Sequence, residues 1–190
     1  MLKHGQGSVQ MSGFFQKILG TDTAGTVKKI QYYGNAKTQE GIPKLIQYMS
    51  DESVEIRRAA SRALEHHWMT GRNDAIAVLT RALGDADMEV RKNSSLALGE
   101  FLSKAAVSAE EPRAARQALI RLLQGEKEAE VIKSTILGLG YLQDGSLITP
   151  MADALRAKDK KIISQAIDTI GNLPPTEVRL EMKKALRSII

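Results

Sequence analysis

The 190-residue sequence contains no cysteine, which excludes disulfide bonds, thiolate metal sites and a cysteine nucleophile. Long apolar runs are also missing: no stretch approaches the ~20 apolar residues of a membrane-spanning helix, and residues 1–8 lack the apolar core of a signal peptide. We therefore expect a cytoplasmic globular protein that has no membrane partner.

Histidine is scarce, and the sequence shows no constellation for catalysis. The three histidines are His4, His66 and His67, so Glu65-His66-His67 is the densest group of metal-ligand types. Adjacent residues on a helix point roughly 100° apart and do not converge on one ion. No Ser/His/Asp order, phosphate-binding glycine loop or nucleotide motif is present. We predict no metal, no cofactor and no catalytic residue, and hence a protein that is not an enzyme.

The excess of positive charge is confined to the two ends of the chain. The formal net charge is +5, but residues 41–173 contain 18 Lys and Arg against 18 Asp and Glu. Residues 1–40 carry 5 against 2, and residues 174–190 carry 4 against 2. A duplex-binding protein is expected to present a broad basic stripe to the phosphates. The balanced middle therefore disfavours nucleic acid as a partner.

A leucine-centred pattern recurs every 30 to 40 residues, and segments 49–64 and 83–98 carry the same residue types at an offset of 34. In each period, two apolar residues four positions apart indicate one face of a first helix. These pairs are Phe15/Leu19, Leu45/Met49, Leu79/Leu83, Leu119/Leu123, Met151/Leu155 and Met182/Leu186.

A second apolar stripe follows most of the first helices and predicts a second helix. Its first and last members are eight residues apart: Ile56/Leu64, Val90/Leu98, Val131/Leu139 and Ile162/Ile170. Small residues lie between them at matching positions, which favours close packing on the paired helix: Ala60, Ser94, Thr135 and Ala166. Near the helix ends, Gly99, Gly140 and Gly171 predict left-handed terminations.

Such units cannot bury their apolar faces alone and are stable only when stacked. We therefore predict an all-α fold, an α-α superhelix of about five helical hairpins plus a C-terminal capping helix, in a single domain over residues 1–190. The units lie at approximately 8–36, 40–70, 73–104, 112–143 and 146–173, and the capping helix at 176–190.

Asp51 and Arg57, like Asp85 and Arg91, are six residues apart and bracket a turn. Together with the Ala-Leu-Gly ending at residues 97–99, this pattern resembles HEAT repeats, in particular the short type first grouped with phycobilin lyases. The resemblance implies a HEAT-like α-solenoid in which each arginine reaches the aspartate of an adjacent repeat, so that Asp51, Arg57, Asp85 and Arg91 form a structural ladder. It also implies protein binding as the usual role, with chromophore lyases, metal hydroxylases and DNA-repair proteins as a minority.

In stacked hairpins the second helices line the concave side, whose exposed surface we call the concave face. The partner-binding residues predicted there are Arg58, Arg62, Lys92, Leu96, Lys133, Leu137, Tyr141 and Asp168. This face is basic toward the N-terminal units and apolar in the middle, which suits a protein or peptide segment with acidic and apolar residues.

Two alternatives apply to these residues. Arg58, Lys92 and Lys133 form a basic column that either binds a partner or pairs with the glutamate three positions earlier on the same helix. Leu96 and Leu137 are either exposed and contact a partner, or pack against the neighbouring second helix.

The sequence favours a non-enzymatic scaffold or adaptor. The alternatives are nucleic-acid binding through the basic column and a chromophore-lyase-like subunit. Trp68 is either an edge anchor for a partner or a cover for the adjoining loop. On the capping helix, an apolar stripe from Val178 to Ile189 is expected to pack inward. Ile190 and the missing second-helix partner leave an uncovered edge, which predicts weak self-association.

Overall fold

The computed structural model describes residues 22–36, 40–65, 73–104, 110–154, 158–176 and 178. These ranges contain nine α-helices, one short 3-10 turn at Gly145–Leu147, and no strand. The helices are α1 (Thr23–Ala36), α2 (Gly41–Tyr48), α3 (Val54–Leu64), α4 (Asn73–Ala82), α5 (Met88–Lys104), α6 (Glu110–Gly125), α7 (Ala129–Gly140), α8 (Ile148–Asp153) and α9 (Lys160–Gly171). Across the described ranges, no helix combines the length and the apolar character that crossing a membrane requires.

The helices form a two-layer stack of hairpins, which confirms the predicted fold class. The pairs α2/α3, α4/α5, α6/α7 and α8/α9 are the hairpins, and α1 is the second helix of the first unit. Neighbouring second helices pack on one another more extensively than neighbouring first helices do, so the second helices form the inner, concave layer. The predicted first helix around Phe15 and nearly all of the capping helix at 176–190 lie outside the described residues.

The core follows the predicted columns. In the first helices Leu45, Leu79, Leu119 and Met151 are each 0% exposed. The second helices bury the starts of their stripes and the whole column of small residues, namely Ala60, Ser94, Thr135 and Ala166. The helical registers inferred from periodicity are therefore confirmed for units two to five.

Side-chain carboxylates fix the turns inside the hairpins. Asp51 Oδ1 accepts from the Ser53 amide at 2.9 Å, and Asp85 Oδ1 accepts from the Asp87 amide at 2.9 Å. Asp87 Oδ1 in turn accepts from the amides of Glu89 and Val90, both at 3.1 Å, at the start of α5. These bonds satisfy amides that the helix cannot pair itself, and the negative charge favours the helix N-terminus.

The prediction of left-handed terminations at Gly99, Gly140 and Gly171 is wrong. Gly99 lies inside α5, which continues to Lys104, and none of the three has a positive φ. The reason for glycine at two of these positions is close packing. A Cβ on Gly99 would lie 2.2 Å from the carbonyl oxygen of Gly138, and one on Gly140 would lie 2.4 Å from Cγ2 of Thr169.

Candidate functional site

Arg57 joins the turn of its own hairpin to the turn of the next one. Its Nε and Nη2 donate to the two carboxylate oxygens of Asp85 at 2.8 and 3.1 Å, and its Nη1 donates to the carbonyl oxygens of Asp51 and Glu52. Burial opposes ionisation of Asp85, but the Arg57 hydrogen bond and the Asp87 amide outweigh it and lower the Asp85 pKa. Arg57 thus fixes the position of unit two relative to unit three.

Arg91 repeats this arrangement with a glutamate that the sequence pattern did not single out. Its Nε and Nη2 donate to the Glu126 carboxylate at 2.7 and 3.3 Å, and its Nη1 donates to the carbonyl oxygens of Asp85 and Ala86. Glu126 also accepts from the amides of Lys127 and Glu128. The ladder therefore extends one unit further than predicted, because glutamate replaces aspartate in the fourth turn.

The next connection uses a different layer of the stack. Ile132 stands at the arginine position in α7, and the ion pair between units four and five is instead formed by Arg116, on the first helix α6, and Asp144.

The predicted basic column lies on the concave face, but each of its charges has a carboxylate partner. Arg58 Nε and Nη2 donate to Asp87 at 2.9 and 2.5 Å, while Lys92 pairs with Glu89 and Lys133 with Glu130, each at 2.7 Å. For the two lysines, the partner is the glutamate three positions earlier on the same helix, which is the second of the two alternatives predicted for the basic column. Arg58 departs from that prediction, because it crosses to the next unit instead of pairing with Glu55.

The Arg58 hydrogen bond is the main cause of a strong effect on Asp87. It holds the pKa of this carboxyl at about 2, with further help from the amides of Val90 and Glu89. Asp87 is therefore ionised throughout the physiological pH range. An anionic group of a ligand competes with this carboxylate for Nε and Nη2 of Arg58.

Arg62 is the predicted cation with the loosest pairing. Its nearest carboxylate oxygen, on Glu89, is 3.8 Å away, and 67% of the Arg62 side chain is exposed. An exposed pair at this distance contributes little to stability. Arg62 is therefore available to a partner.

The apolar and acidic members of the predicted face are brought together at its C-terminal end. The side chains of Leu96 and Leu137 are both half-buried. Leu137, Tyr141 and Asp168 line one small pocket of about 170 Å³ together with Gln143, Gln165 and Asn172.

A buried carboxyl on the same face was missed by sequence reasoning. Glu100 Oε2 is inaccessible to solvent and has no hydrogen-bond partner among the described residues. Burial, and secondarily the charge of Glu65, raise the Glu100 pKa to about 7. Burial together with Glu100 and Glu65 also raises the pKa of Tyr141. Glu100 was overlooked because it stands in a column of mixed residue types that carries no recognisable motif.

A larger groove lies at the N-terminal end of the concave face, between α1 and α3. Its volume is about 990 Å³. Val27, Lys28 and Gln31 of α1 face Arg58, Ala59 and Arg62 of α3 across it. This groove was not predicted from the sequence, because the apolar pattern of the first unit is weak.

Two further predictions concern Trp68 and metal binding. Trp68 lies outside the described residues, so its role stays a prediction. In the described part of the chain, no group of three or more His, Asp or Glu side chains is arranged to hold a metal ion.

Comparison with known proteins identifies the repeats. Residues 42–131, from α2 to the start of α7, match the family model for HEAT repeats. These residues are HEAT repeats. The resemblance inferred from the turn aspartates and helix arginines is thereby confirmed. A search of curated proteins found no match to the chain.

Solved structures share the HEAT-like architecture. One is a chain from the complex of CpcE and CpcF of phycocyanin lyase from Nostoc sp. PCC7120, with 17% identity, a TM-score of 0.64, and coverage of 78% of this chain and 98% of that one. Another is an engineered protein with 20% identity, a TM-score of 0.51, and coverage of 74% and 63%. At these identities the likeness shows the fold alone.

Proposed function

We propose that the protein is a non-enzymatic scaffold that binds another protein on the concave face. The observation that carries this proposal is the open surface of the inner helices, with a groove of about 990 Å³ at one end and a pocket at the other. Concave surfaces of stacked helical repeats are extended enough to hold a partner segment. Exposed Arg62 and Asp168, at opposite ends of this face, give it charges of both signs.

Site-specific photo-crosslinking in the native host tests the proposal. A benzophenone amino acid replaces Arg62, Tyr141 or Asp168 on the concave face, and Lys44 or Arg121 on the first helices as controls. All five positions are exposed, so the replacements disturb the core little. We expect a partner protein to be captured from concave positions. Capture only from Lys44 or Arg121, or from no position, contradicts the proposal.

Nucleic acid is the first alternative, and the pairing of the basic column argues against it. Because Arg58, Lys92 and Lys133 each hold a carboxylate, binding phosphates there requires exchange of existing ion pairs. We expect a generic DNA duplex not to be retained by the protein at low salt. Retention that falls steeply with added salt favours this alternative instead.

A chromophore-lyase-like subunit is the second alternative. It rests on the fold shared with a chain of the phycocyanin lyase complex. Incubation of the purified protein with a linear tetrapyrrole, followed by absorbance spectroscopy and gel filtration, tests it. A shifted absorbance band that co-migrates with the protein favours the lyase-like role.

A further inference from the structure

The groove at the N-terminal end of the concave face is lined by two neighbouring second helices, α1 and α3. At one point α1 and α3 come close together, since a Cβ on Gly34 would lie 3.0 Å from that of Ala63. From there the groove is lined by α1 back to Thr23 and by α3 back to Glu55. Between α5 and α7, by contrast, glycines bring the two backbones into contact.

The groove has an apolar floor and a positively charged rim. Val27, Ala59 and Ala63 supply apolar surface along the two helices. On the rim, Lys28 forms no ion pair with any described residue, and Arg62 has only the 3.8 Å contact with Glu89. Arg58 is neutralised by Asp87, whereas Glu55 keeps its negative charge, because its partner, the Ser53 hydroxyl, is neutral. Lys28 and Arg62 outweigh Glu55, so the rim has a net positive charge.

The walls of the groove favour a helix as its occupant. Both walls are α-helices, whose backbone groups are already paired, so an extended peptide finds no strand edge to extend. A helix satisfies its own backbone and needs only side-chain contacts. The lined part of α1, from Thr23 to Asn35, is about 18 Å long, which matches a helix of about 12 residues.

The charge of the groove separates the candidate occupants. Residues 1–21 of this chain carry Lys3 and Lys17 but no carboxylate, and residues 179–190 carry Arg179, Lys183, Lys184 and Arg187 against Glu181 alone. Both segments repel a positive rim. An acidic segment of another protein is complementary to it.

We propose that the groove between α1 and α3 binds an amphipathic helix of a partner protein, with apolar residues along one edge and Asp or Glu on its flanks. This inference rests on the proposed scaffold function and names its docking site. The apolar edge lies against Val27, Ala59 and Ala63, and the acidic flanks face Lys28 and Arg62.

A stapled helical peptide of about 14 residues serves as the probe, with Leu and Ala along one edge and Glu on both flanks. Fluorescence anisotropy measures its affinity for the purified full chain. We expect the substitutions K28E and R62E together to weaken binding at least about tenfold. A24W, at an exposed position on the groove wall, blocks it without touching either charge.

The matched control is the pair K158E and K160E, which makes the same charge change at exposed lysines outside the groove. It should bind like the wild type. A second peptide with Lys in place of Glu should bind the K28E and R62E protein better than the wild type. Circular dichroism verifies that every variant is folded.

The proposal is overturned if the acidic peptide does not bind the wild type, or binds the K28E and R62E protein equally well. Its failure is separable from failure of the scaffold function by photo-crosslinking. If a partner is captured from Tyr141 and Asp168 but not from Gln31 or Asn35, the proposed docking site in the groove is wrong, while the proposed scaffold function is still supported. Capture only from the first helices overturns both.

Discussion

At the scale of single residues, Arg57 and Arg58 are neighbours on α3 that bind two carboxylates of the same turn in the next unit. Arg57 takes Asp85 and Arg58 takes Asp87, both through two nitrogens. Paired geometry of this kind fixes orientation as well as distance. The two arginines therefore determine how unit three sits on unit two.

Replacing Arg57 with alanine should lower the free energy of unfolding by about 2 kcal/mol, because it leaves the Asp85 carboxylate unpaired in a site where 13% of its side chain is exposed. Urea denaturation at neutral pH measures the change. Since the Asp85 pKa is lowered in the fold, the contribution is lost as pH falls through that pKa, so the difference from wild type should shrink in acid.

The control for this prediction is Arg62→Ala, which removes an exposed cation with a 3.8 Å pair. It should cost less than about 0.5 kcal/mol. Equal costs for the two variants would show that the ladder does not stabilise the stack.

Glu100 gives the fold a dependence on pH of opposite sign. Its pKa of about 7 lies above the ordinary value of 4.5, so the folded state holds the proton more tightly than the unfolded chain. Wild-type stability should therefore decline as pH rises from about 4.5 to 7 and level off above. Glu100→Gln should match the wild type below that window and exceed it above pH 7.

The expected gain at high pH is on the order of 1 kcal/mol, after allowing for the solvent-exposed part of the side chain. Thermal unfolding across this pH range measures it. Glu52→Gln, at an exposed position, is the control and should show no such divergence. If Glu100→Gln instead loses stability at every pH, the carboxylate has a structural partner.

At the scale of helices, close packing of α5 on α7 depends on glycines, which have no side chain between the two backbones. Gly138 continues the contact that Gly99 begins, since its Cβ would lie 2.5 Å from the carbonyl oxygen of Ser95. The tip of a flexible side chain can move aside, but backbone atoms cannot do so without a shift of the whole helix. The joint between units three and four is therefore rigid.

Gly99→Ala should destabilise the protein by about 3 kcal/mol, because the added methyl group forces α5 and α7 apart. Chemical denaturation gives the value. Gly125→Ala is the matched control: nothing lies within 4 Å of its Cβ position, and it should be neutral or slightly stabilising. A mild effect of Gly99→Ala would mean that the two helices separate at little cost.

These elements also show what the sequence could predict. The columns through Leu45 and Ile56 were predictable because burial imposes a helical period on apolar residues. The Arg58 partner was not, because Asp87 is 29 residues away and only stacking brings it near. Glu126 was missed because the expected turn residue was aspartate, although longer glutamate reaches Arg91 equally well.

At the scale of the whole molecule, one column shows where the described stack stops. Five residues after each stripe start, Ser61, Ser95 and Ile136 are buried against the following second helix. Ile167 holds the same position in α9 and is 57% exposed. Among the described helices, only α7 and α8 pack substantially on α9, so an apolar edge faces outward there.

This edge gives the predicted weak self-association a second element besides the capping helix. Sedimentation velocity at increasing concentration, up to high micromolar, should show a rising average sedimentation coefficient for the wild type. Ile167→Lys should abolish the rise, because it places a charge on the apolar edge. Tyr32→Lys, at a 70% exposed position in α1, is the control. A wild-type monomer throughout the range contradicts self-association.

The arginine connections between units also determine where an additional repeat could be inserted. The hairpin of α2 and α3 carries Asp51 in its turn, and its Arg57 reaches the following turn. A duplicated copy of this hairpin would therefore have an arginine before it and an aspartate after it. The units with Ile132 and Ile163 in place of arginine offer no such match to a copy of themselves. Insertion of whole repeats is therefore compatible with the N-terminal half of the array, whereas in the C-terminal half it requires new apolar contacts.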